Sequence, residues 1–292
     1  MADIYQEIWN VDQAHAGLTA VHQGKAVSDI VRSNGYVVVN ESQDAKRDHK
    51  LIEQVHIPPR KEKSYGLLRA LLNNYTLDQT KSESSFPEEQ KEVQEFLDYI
   101  HTSPPMEVAR EYAAARMGQP VSRDQWWAIL QRVWFEQFTD GKNRDLSGFE
   151  HVVVGEQKKG EVKGYHSWYK YYLDEHFRRT QEEPVQDSIG FLAWKRPAGD
   201  ATPDVATLSF NWRAFDYEAG QFRPLTKPVG GFWIGPSTEG MMAIGTVRFL
   251  PEVMAPKRAE INGYAYDLPL YRSPNDRHLR TFFPAFVERV KP

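Results

Sequence analysis

Two hydrophobic patterns occupy different parts of the chain. Before about residue 140, apolar side chains recur at the three- and four-residue spacing of amphipathic helices, whereas later residues form short alternating runs separated by Gly and Pro. Helices followed by strands favour an α+β fold over a doubly wound α/β sheet, in which the two would alternate. We therefore predict a single domain with a helical lobe over residues 1–140 and a lobe of antiparallel β-sheets over residues 141–292.

Local signals place the individual elements. Ser64 is a candidate cap for a helix over residues 64–75, and Pro87 suits the first position of the next helix. A capping box at Ser122 opens a segment whose apolar stripe reaches Phe138. Further along, the sequence predicts a loop over 140–145, a helix over 166–178, and strands over 152–154, 207–212, 231–234 and 246–250.

Composition limits the possible functions. The chain has 292 residues, a net charge of −4 and no cysteine, which excludes disulfides, thiolate metal sites and cysteine nucleophiles. No stretch approaches the ~18 apolar residues of a membrane span. The first residues resemble no signal peptide, so we expect a cytoplasmic protein without membrane contact.

A protein that coats long nucleic acids is normally basic, so any nucleic-acid contact of this acidic chain should be local. Residues 157–179 carry six Lys and Arg against three Asp and Glu. Such a cluster is more often a solvated face than a binding site.

Two histidines lie 15 residues apart, and each has a glycine nearby. They occur in residues 148–156 (GFEHVVVGE) and 161–168 (EVKGYHSW), as His151 and His166. Two imidazoles facing one another could remove a proton from the 2′-hydroxyl of RNA and protonate the departing 5′-oxygen. A structural role is the commoner explanation for any single histidine.

Other chemistries fit these residues less well. Zinc sites of the H-E-x-x-H type need an i, i+4 spacing that is absent here. If residues 152–154 form a strand, His151 and Glu156 point to opposite faces and cannot form a tight metal site. The G-x-S-x-G motif of serine hydrolases is also absent.

Together, the two histidine motifs resemble the signature of the EndoU endoribonucleases. That family includes animal poly-U-specific endoribonucleases and, more distantly, the nidovirus uridylate-specific nuclease. Further motifs match in order: residues 208–212 (LSFNW), 227–230 (KPVG), 234–237 (IGPS), 246–250 (TVRFL) and 281–284 (TFFP). The resemblance covers most of the chain from about residue 50 onward.

The resemblance implies an enzyme that cleaves single-stranded RNA to a 2′,3′-cyclic phosphate and a 5′-hydroxyl. It implies His166 as general base, His151 as general acid and Lys227 as the cation that stabilises the phosphorane. Supporting positions would be Glu150, Glu156 and Thr281, and substrate-binding positions Phe283, Ser237, Thr246 and Trp168. Glu150 and Glu156 are also candidate ligands for Mn²⁺ or Ca²⁺, because family members differ in metal dependence; metal-independent activity stays open. We expect a monomer.

Some positions depart from the family pattern. Phe283 stands where a tyrosine is usual, and Gly231 stands where relatives commonly have a serine proposed to read uracil. Gly240 and Gly245 replace an aromatic pair. These changes predict a relaxed preference for uridine, while the two histidines and the lysine are all present.

Two other functions remain possible at this point. A non-catalytic RNA-binding module would keep the fold, although it would more readily lose one of the three catalytic residues. A metal-dependent phosphodiesterase would need more converging carboxylates than Glu150 and Glu156 provide.

Overall fold

The computed structural model describes residues 3–42, 49–83, 86–176, 188–195, 202–217 and 219–290. Helices and strands both contribute, which confirms the predicted α+β class. The first elements are α1 (Ile4–His15), β1 (Thr19–His22), α2 (Asp29–Asn34), β2 (Tyr36–Val39), β3 (Ile52–His56), α3 (Glu62–Leu71), α4 (Pro87–Ile100), α5 (Pro104–Met117) and α6 (Arg123–Leu130). A 3-10 turn, Pro59–Lys61, precedes α3, and a π-helical turn, Gln131–Phe135, follows α6.

The later elements are mostly strands. They are β4 (Phe138–Asp140), β5 (Asn143–Leu146), β6 (Glu156–Lys158), β7 (Glu161–Lys163), α7 (Trp168–Glu175), β8 (Ile189–Trp194), β9 (Val205–Asp216), β10 (Gln221–Trp233), α8 (Thr238–Phe249), β11 (Arg258–Ile261), β12 (Tyr264–Asp267), β13 (Leu270–Arg272), β14 (Leu279–Phe282) and β15 (Ala285–Arg289). A second π-helical turn, Glu150–Val154, lies between β5 and β6. The predicted strands at 207–212 and 231–234 correspond to β9 and the end of β10.

A five-stranded sheet of order β6-β7-β10-β9-β8 dominates the second half. Its neighbours are antiparallel except β7 and β10, which pair in parallel at Glu161 and Thr226. Smaller antiparallel sheets join β11-β12-β15, β13-β14 and β4-β5. Strands β1, β2 and β3 form a separate sheet in the first half, with β1 parallel to β2.

One continuous hydrophobic core joins side chains from both halves. Helix α8, from the second half, packs against α1 and α5 of the first half. The division into lobes at residue 140 stays a prediction, and β1–β3 and α8 are exceptions to its purely helical and strand-rich description. No helix in the described ranges combines the length and apolar character needed to cross a membrane.

The helix signals were partly correct. Helix α4 begins at Pro87, and the hydroxyl of Ser122 accepts a hydrogen bond from the backbone N–H of Gln125, as the capping box predicted. Ser64 is not a cap, because α3 already begins at Glu62; its buried hydroxyl instead donates to the carboxylate of Glu239 at 2.8 Å. A long-range contact thus replaced the expected local one.

Other boundaries shifted between residues 130 and 180. Helix α6 ends at Leu130, and Phe138 belongs to the β4–β5 hairpin, whose strands and turn include the predicted loop at 140–145. Helix α7 covers Trp168–Glu175 of the helix predicted over 166–178. Residues 177–178 lie outside the described residues.

Two predicted strands are wrong. Residues 152–154 lie in the π-helical turn Glu150–Val154, all of whose residues are buried, and residues 246–250 form the end of α8 and its C-cap. Every residue of α8 but one is buried, so the helix has no polar face. Because a fully buried apolar run lacks amphipathic periodicity, its sequence does not distinguish a helix from a strand.

The two glycines that depart from the family pattern lie in α8, where neighbours leave no room for a side chain. A Cβ at Gly240 would lie 2.3 Å from the carboxylate carbon of Asp12, whose oxygens accept hydrogen bonds from the backbone and hydroxyl of Ser237. A Cβ at Gly245 would lie 2.7 Å from the buried indole of Trp134. Both positions therefore serve the packing of α8.

We predict that Gly245→Ala lowers the free energy of unfolding by about 1–3 kcal/mol, because the added methyl group overpacks the core against Trp134. Gly66→Ala is the matched control: it also lies inside a helix, α3, and its new Cβ would meet only the end of Arg69 at 3.7 Å. The control should gain roughly 0.5–1 kcal/mol from helix propensity. Urea unfolding measures both, and equal effects would contradict the packing argument.

Candidate active site

A short backbone contact brings the two histidine motifs together. The backbone N–H groups of Tyr165 and His166 donate to the carbonyls of His151 and Val152 at 2.8 and 2.6 Å. Gly164 has a φ of +64°, and a Cβ there would lie only 1.7 Å from the carbonyl oxygen of His151, so glycine is required. The two imidazole centroids are consequently 6.5 Å apart.

The ring of His166 is fixed by two contacts. Its Nδ1 lies 2.7 Å from the carbonyl oxygen of Gly231 on β10, and its face stacks on Phe283 with a centroid distance of 4.7 Å. Burial, together with the nearby Lys227 and His151, lowers the pKa of His166 well below its usual value. These surroundings therefore favour a neutral His166.

One ring nitrogen of His151 contacts both a carboxylate and a guanidinium. Its Nδ1 lies 3.1 Å from Oε2 of Glu156 and 2.7 Å from Nη1 of Arg280. Burial lowers the pKa of His151, with Arg280 and Lys227 acting in the same direction and Glu156 opposing them. Burial and the two like charges outweigh the carboxylate.

Lys227 extends from β10 towards the histidine motifs. Its Nζ donates to the carbonyl of Gly164 at 2.7 Å and, more weakly, to that of Val162 at 3.3 Å. The β9–β10 register is irregular between Lys227 and Gly230, a feature that commonly redirects a side chain. Burial and the charge of Lys163 lower the pKa of Lys227 to about 8, so its ammonium form predominates below that pH.

His151, His166 and Lys227 line one groove on the sheet-rich half of the molecule. The other lining residues are Glu161, Val162, Lys163, Gly164, Lys195, Thr207, Pro228, Val229, Gly230, Gly231, Thr281, Phe283, Pro284, Ala285 and Phe286. The groove has a volume of about 640 Å³, which lies within the ~300–1,000 Å³ usual for ligand pockets. The three side chains therefore share one site that is large enough to hold a ligand.

The two supporting glutamates differ in ionisation. Burial opposes the ionisation of Glu156, but the charges and hydrogen bonds of His151 and Arg280 outweigh it and lower its pKa to about 2. Burial and the neighbouring Glu156 raise the pKa of Glu150 well above its usual value. An oxygen of Glu150 accepts a weak hydrogen bond from the backbone of Ser147 at 3.3 Å.

These carboxylates do not fit a metal site. Both oxygens of Glu156 are bound by the guanidinium of Arg280, at 2.9 Å each, and one is also beside His151. Among the described residues, no three His, Cys, Asp or Glu side chains converge as ligands. The proximity of His151 and Glu156 also corrects the prediction that they point to opposite faces, which assumed a strand where the chain forms a π-helical turn.

Thr281 and Phe283 lie in the groove, whereas three predicted substrate-binding residues lie outside it. Ser237 caps α8, and Thr246 is buried in that helix, where it accepts a hydrogen bond from Trp134 at 2.9 Å. The indole of Trp168 donates to the carbonyl of Pro236. Ser237 and Trp168 border a small neighbouring cavity that His166 and Phe283 also line. The motifs that contain Trp168, Ser237 and Thr246 thus include residues that build the fold.

Sequence reasoning missed Arg280, Thr207 and Lys195. Arg280 directly precedes the motif at residues 281–284, but nothing in the sequence pairs it with Glu156, 124 residues away. Thr207 pairs across the sheet with Gly231, so β9 and β10 together place its side chain at the groove. Only the strand register could have identified it.

Comparisons with known proteins find relatives that match nearly the whole chain. The family profile for Endoribonuclease XendoU matches residues 1–284. The Poly(U)-specific endoribonuclease of Xenopus tropicalis is 29% identical over 302 residues, covering all of this chain and 95% of its own length. The Uridylate-specific endoribonuclease B of Danio rerio is 29% identical over 240 residues, covering 78% of this chain and 76% of its own length.

The fold is also similar to a solved structure of XendoU, a splicing-independent snoRNA-processing endoribonuclease. The two superpose with a TM-score of 0.69 and 26% sequence identity, over 99% of this chain and 97% of the other. A profile match over nearly the whole chain, together with this structural likeness, identifies the family. The chain belongs to the XendoU family of endoribonucleases.

Proposed function

We propose that the protein cleaves single-stranded RNA by transesterification, at uridylates with relaxed selectivity, leaving a 2′,3′-cyclic phosphate and a 5′-hydroxyl. The observation that carries this proposal is the pair of imidazoles, 6.5 Å apart, with Nδ1 of His166 at a backbone carbonyl and Nδ1 of His151 between a carboxylate and a guanidinium. Endoribonuclease relatives support the substrate class.

His166 is suited to act as the general base. A carbonyl oxygen only accepts hydrogen bonds, so Nδ1 of His166 must carry the proton that it shares with Gly231. Its Nε2 then has a free lone pair, which can accept the proton of a 2′-hydroxyl. The low pKa of His166 keeps this form available near neutral pH.

His151 is suited to act as the general acid. When it is protonated, its Nδ1–H can donate to Glu156, which leaves Nε2–H to protonate the leaving oxygen. The carboxylate of Glu156 favours the protonated form of His151, whereas Nδ1 of His166 is bound to a backbone carbonyl. This difference in partners favours His151 as the acid and His166 as the base.

The reaction balances without another reactant. The 2′-oxygen forms a bond to phosphorus while its proton passes to His166, the phosphorus–O5′ bond breaks, and O5′ takes a proton from His151. Lys227 stabilises the negative charge that accumulates on the phosphorane oxygens. By analogy with a lost oxyanion donor, such a fixed cation contributes about 3–4 kcal/mol.

Replacing either histidine tests the proposal. His166→Ala and His151→Ala should each lower the cleavage rate by at least about 10²-fold while RNA binding stays nearly unchanged. His101→Ala is the control, because its Nδ1 also contacts a backbone carbonyl, that of Leu97, but far from the groove.

Rates are measured on labelled RNA and divided by the fraction of folded protein. If the groove variants lose activity only in proportion to lost folded protein, both histidines are structural. Wild-type protein that binds RNA without cutting it would instead support the non-catalytic module.

Metal-independent cleavage follows from the contacts of Glu156. Because the guanidinium of Arg280 already neutralises this carboxylate, a divalent cation would have to displace a bidentate ion pair. We expect the cleavage rate in excess EDTA to stay within about twofold of the rate with Mn²⁺ or Ca²⁺. Loss of activity in EDTA, restored by either ion, would refute this expectation; heat-denatured protein serves as the blank.

Selectivity depends on the part of the groove around Gly231. The carbonyl of Gly231 is already bound by His166, and the ring of Phe283 offers stacking, which every base permits. Thr207 provides a hydroxyl 3.7 Å from where a Cβ at Gly231 would lie. This threonine partly replaces the serine that relatives have at the glycine position.

We predict that uridine is at most modestly preferred, because few side-chain groups can read its edge. Initial rates on four oligonucleotides that differ only in the nucleotide 5′ to the scissile bond measure the preference. A preference above about 100-fold, some 2.7 kcal/mol, would show that another group reads the base. Thr207→Val and Thr281→Val would then locate that group, whereas the hydroxyl of Ser237 is buried and bound to Asp12.

A further inference from the structure

Arg280 on β14 is held in an almost buried position between both halves of the chain. Its side chain is only 15% exposed. Its two terminal nitrogens bind the two oxygens of Glu156, and Nη2 also donates to Oε1 of Gln79 at 3.0 Å. The remaining contact is the approach of Nη1 to Nδ1 of His151, at 2.7 Å.

We propose that Arg280 is a positioning residue that competes with Glu156 for Nδ1 of His151 and thereby sets how readily this histidine takes up a proton. The proposal rests on the proposed role of His151 as general acid. Arg280 is not among the site residues predicted from the sequence.

The competition follows from the chemistry of the three groups. A guanidinium N–H only donates and an ionised carboxylate only accepts. Neutral His151 can therefore accept from Arg280 with an unprotonated Nδ1, whereas protonated His151 can donate from Nδ1 to Glu156. In the protonated form, Nη1 of Arg280 faces another donor and another positive charge. Arg280 thus favours the neutral form, and Glu156 favours the protonated form.

The fixed geometry makes this competition persistent. Two hydrogen bonds of 2.9 Å each hold Arg280 and Glu156 together, so neither can turn away from His151 without breaking its contact with the other. Gln79, from the segment between α3 and α4, restrains the far side of the guanidinium. The first half of the chain thereby contributes to the acid group's surroundings.

Other charges also face His151. Lys227 from β10 disfavours its protonation, the ring of His166 from the segment before α7 lies 6.5 Å away, and Glu150 lies on the same π-helical turn. These groups are present in the wild-type protein and in an Arg280 variant alike. Removing the guanidinium should therefore raise the pKa of His151, which burial now lowers.

The test compares Arg280→Met with the wild-type protein over a range of pH. In the pH profile of kcat/KM, activity falls on the alkaline side when the general acid loses its proton. This alkaline limb should lie about one pH unit or more higher in the variant, since an adjacent charge commonly moves a pKa by 1–3 units. Arg280→Lys, which keeps the charge without the fork, should give a smaller shift. Gln79→Ala should shift the limb in the same direction by less.

Arg277→Met is the matched control, because it removes an arginine from the same hairpin. The side chain of Arg277 is 62% exposed, and its Nη2 lies 3.9 Å from Oε1 of Glu136. Its pH profile should equal that of the wild type. Loss of rate in Arg280→Met with an unmoved alkaline limb would mean that Arg280 only supports the fold, and would overturn the proposal.

An NMR titration of His151, assigned with His151→Asn, provides a second readout that needs no cleavage. The His151 pKa should rise in Arg280→Met, or in Arg280→Lys if the methionine variant does not fold. An unchanged His151 pKa would also overturn the proposal. If the protein cuts no RNA, the proposed function fails, and the titration still decides whether Arg280 controls this proton.

Discussion

The packing of Gly164 against the carbonyl of His151 is the contact on which the site depends. It allows the next two backbone N–H groups to bond to the π-helical turn, and this fixes the separation of the two imidazoles. Lys227 donates to the carbonyl of the same glycine. One backbone segment thus determines the relative positions of both histidines and the lysine, and no larger residue than glycine fits there.

Several ionisable groups are buried together at this site, and the charged ones are stabilised by their neighbours. An isolated charge in the protein interior is costly, but one that is paired and hydrogen-bonded is tolerated. Glu156 remains ionised because Arg280 and His151 surround it, and Lys227 is stabilised by backbone carbonyls. The same arrangement keeps the two imidazoles in different hydrogen-bonding states, which a solvent-exposed pair would not maintain.

Helix α8, in the second half of the chain, is held in place by contacts with the first half. Its N-terminus is held by Asp12 of α1, its first turn by Ser64 of α3, and its interior packs on Trp134. Glycines at 240 and 245 permit these approaches. The departures from the family pattern at these two positions consequently concern packing within the core and have no direct contact with the groove.

The sequence by itself determined the α+β class, the helix starts at Pro87 and Ser122, and the grouping of His151, His166 and Lys227 through ordered motifs. Caps and turns depend on hydrogen bonds between residues close in sequence, so they can be read directly. Only the tertiary structure decided that residues 152–154 and 246–250 are helical, because buried apolar runs carry no periodic signal. It alone placed Ser237 and Thr246 in the core and Arg280 beside His151. Those contacts join residues more than 100 positions apart, and their formation depends on strand register and packing over the whole chain.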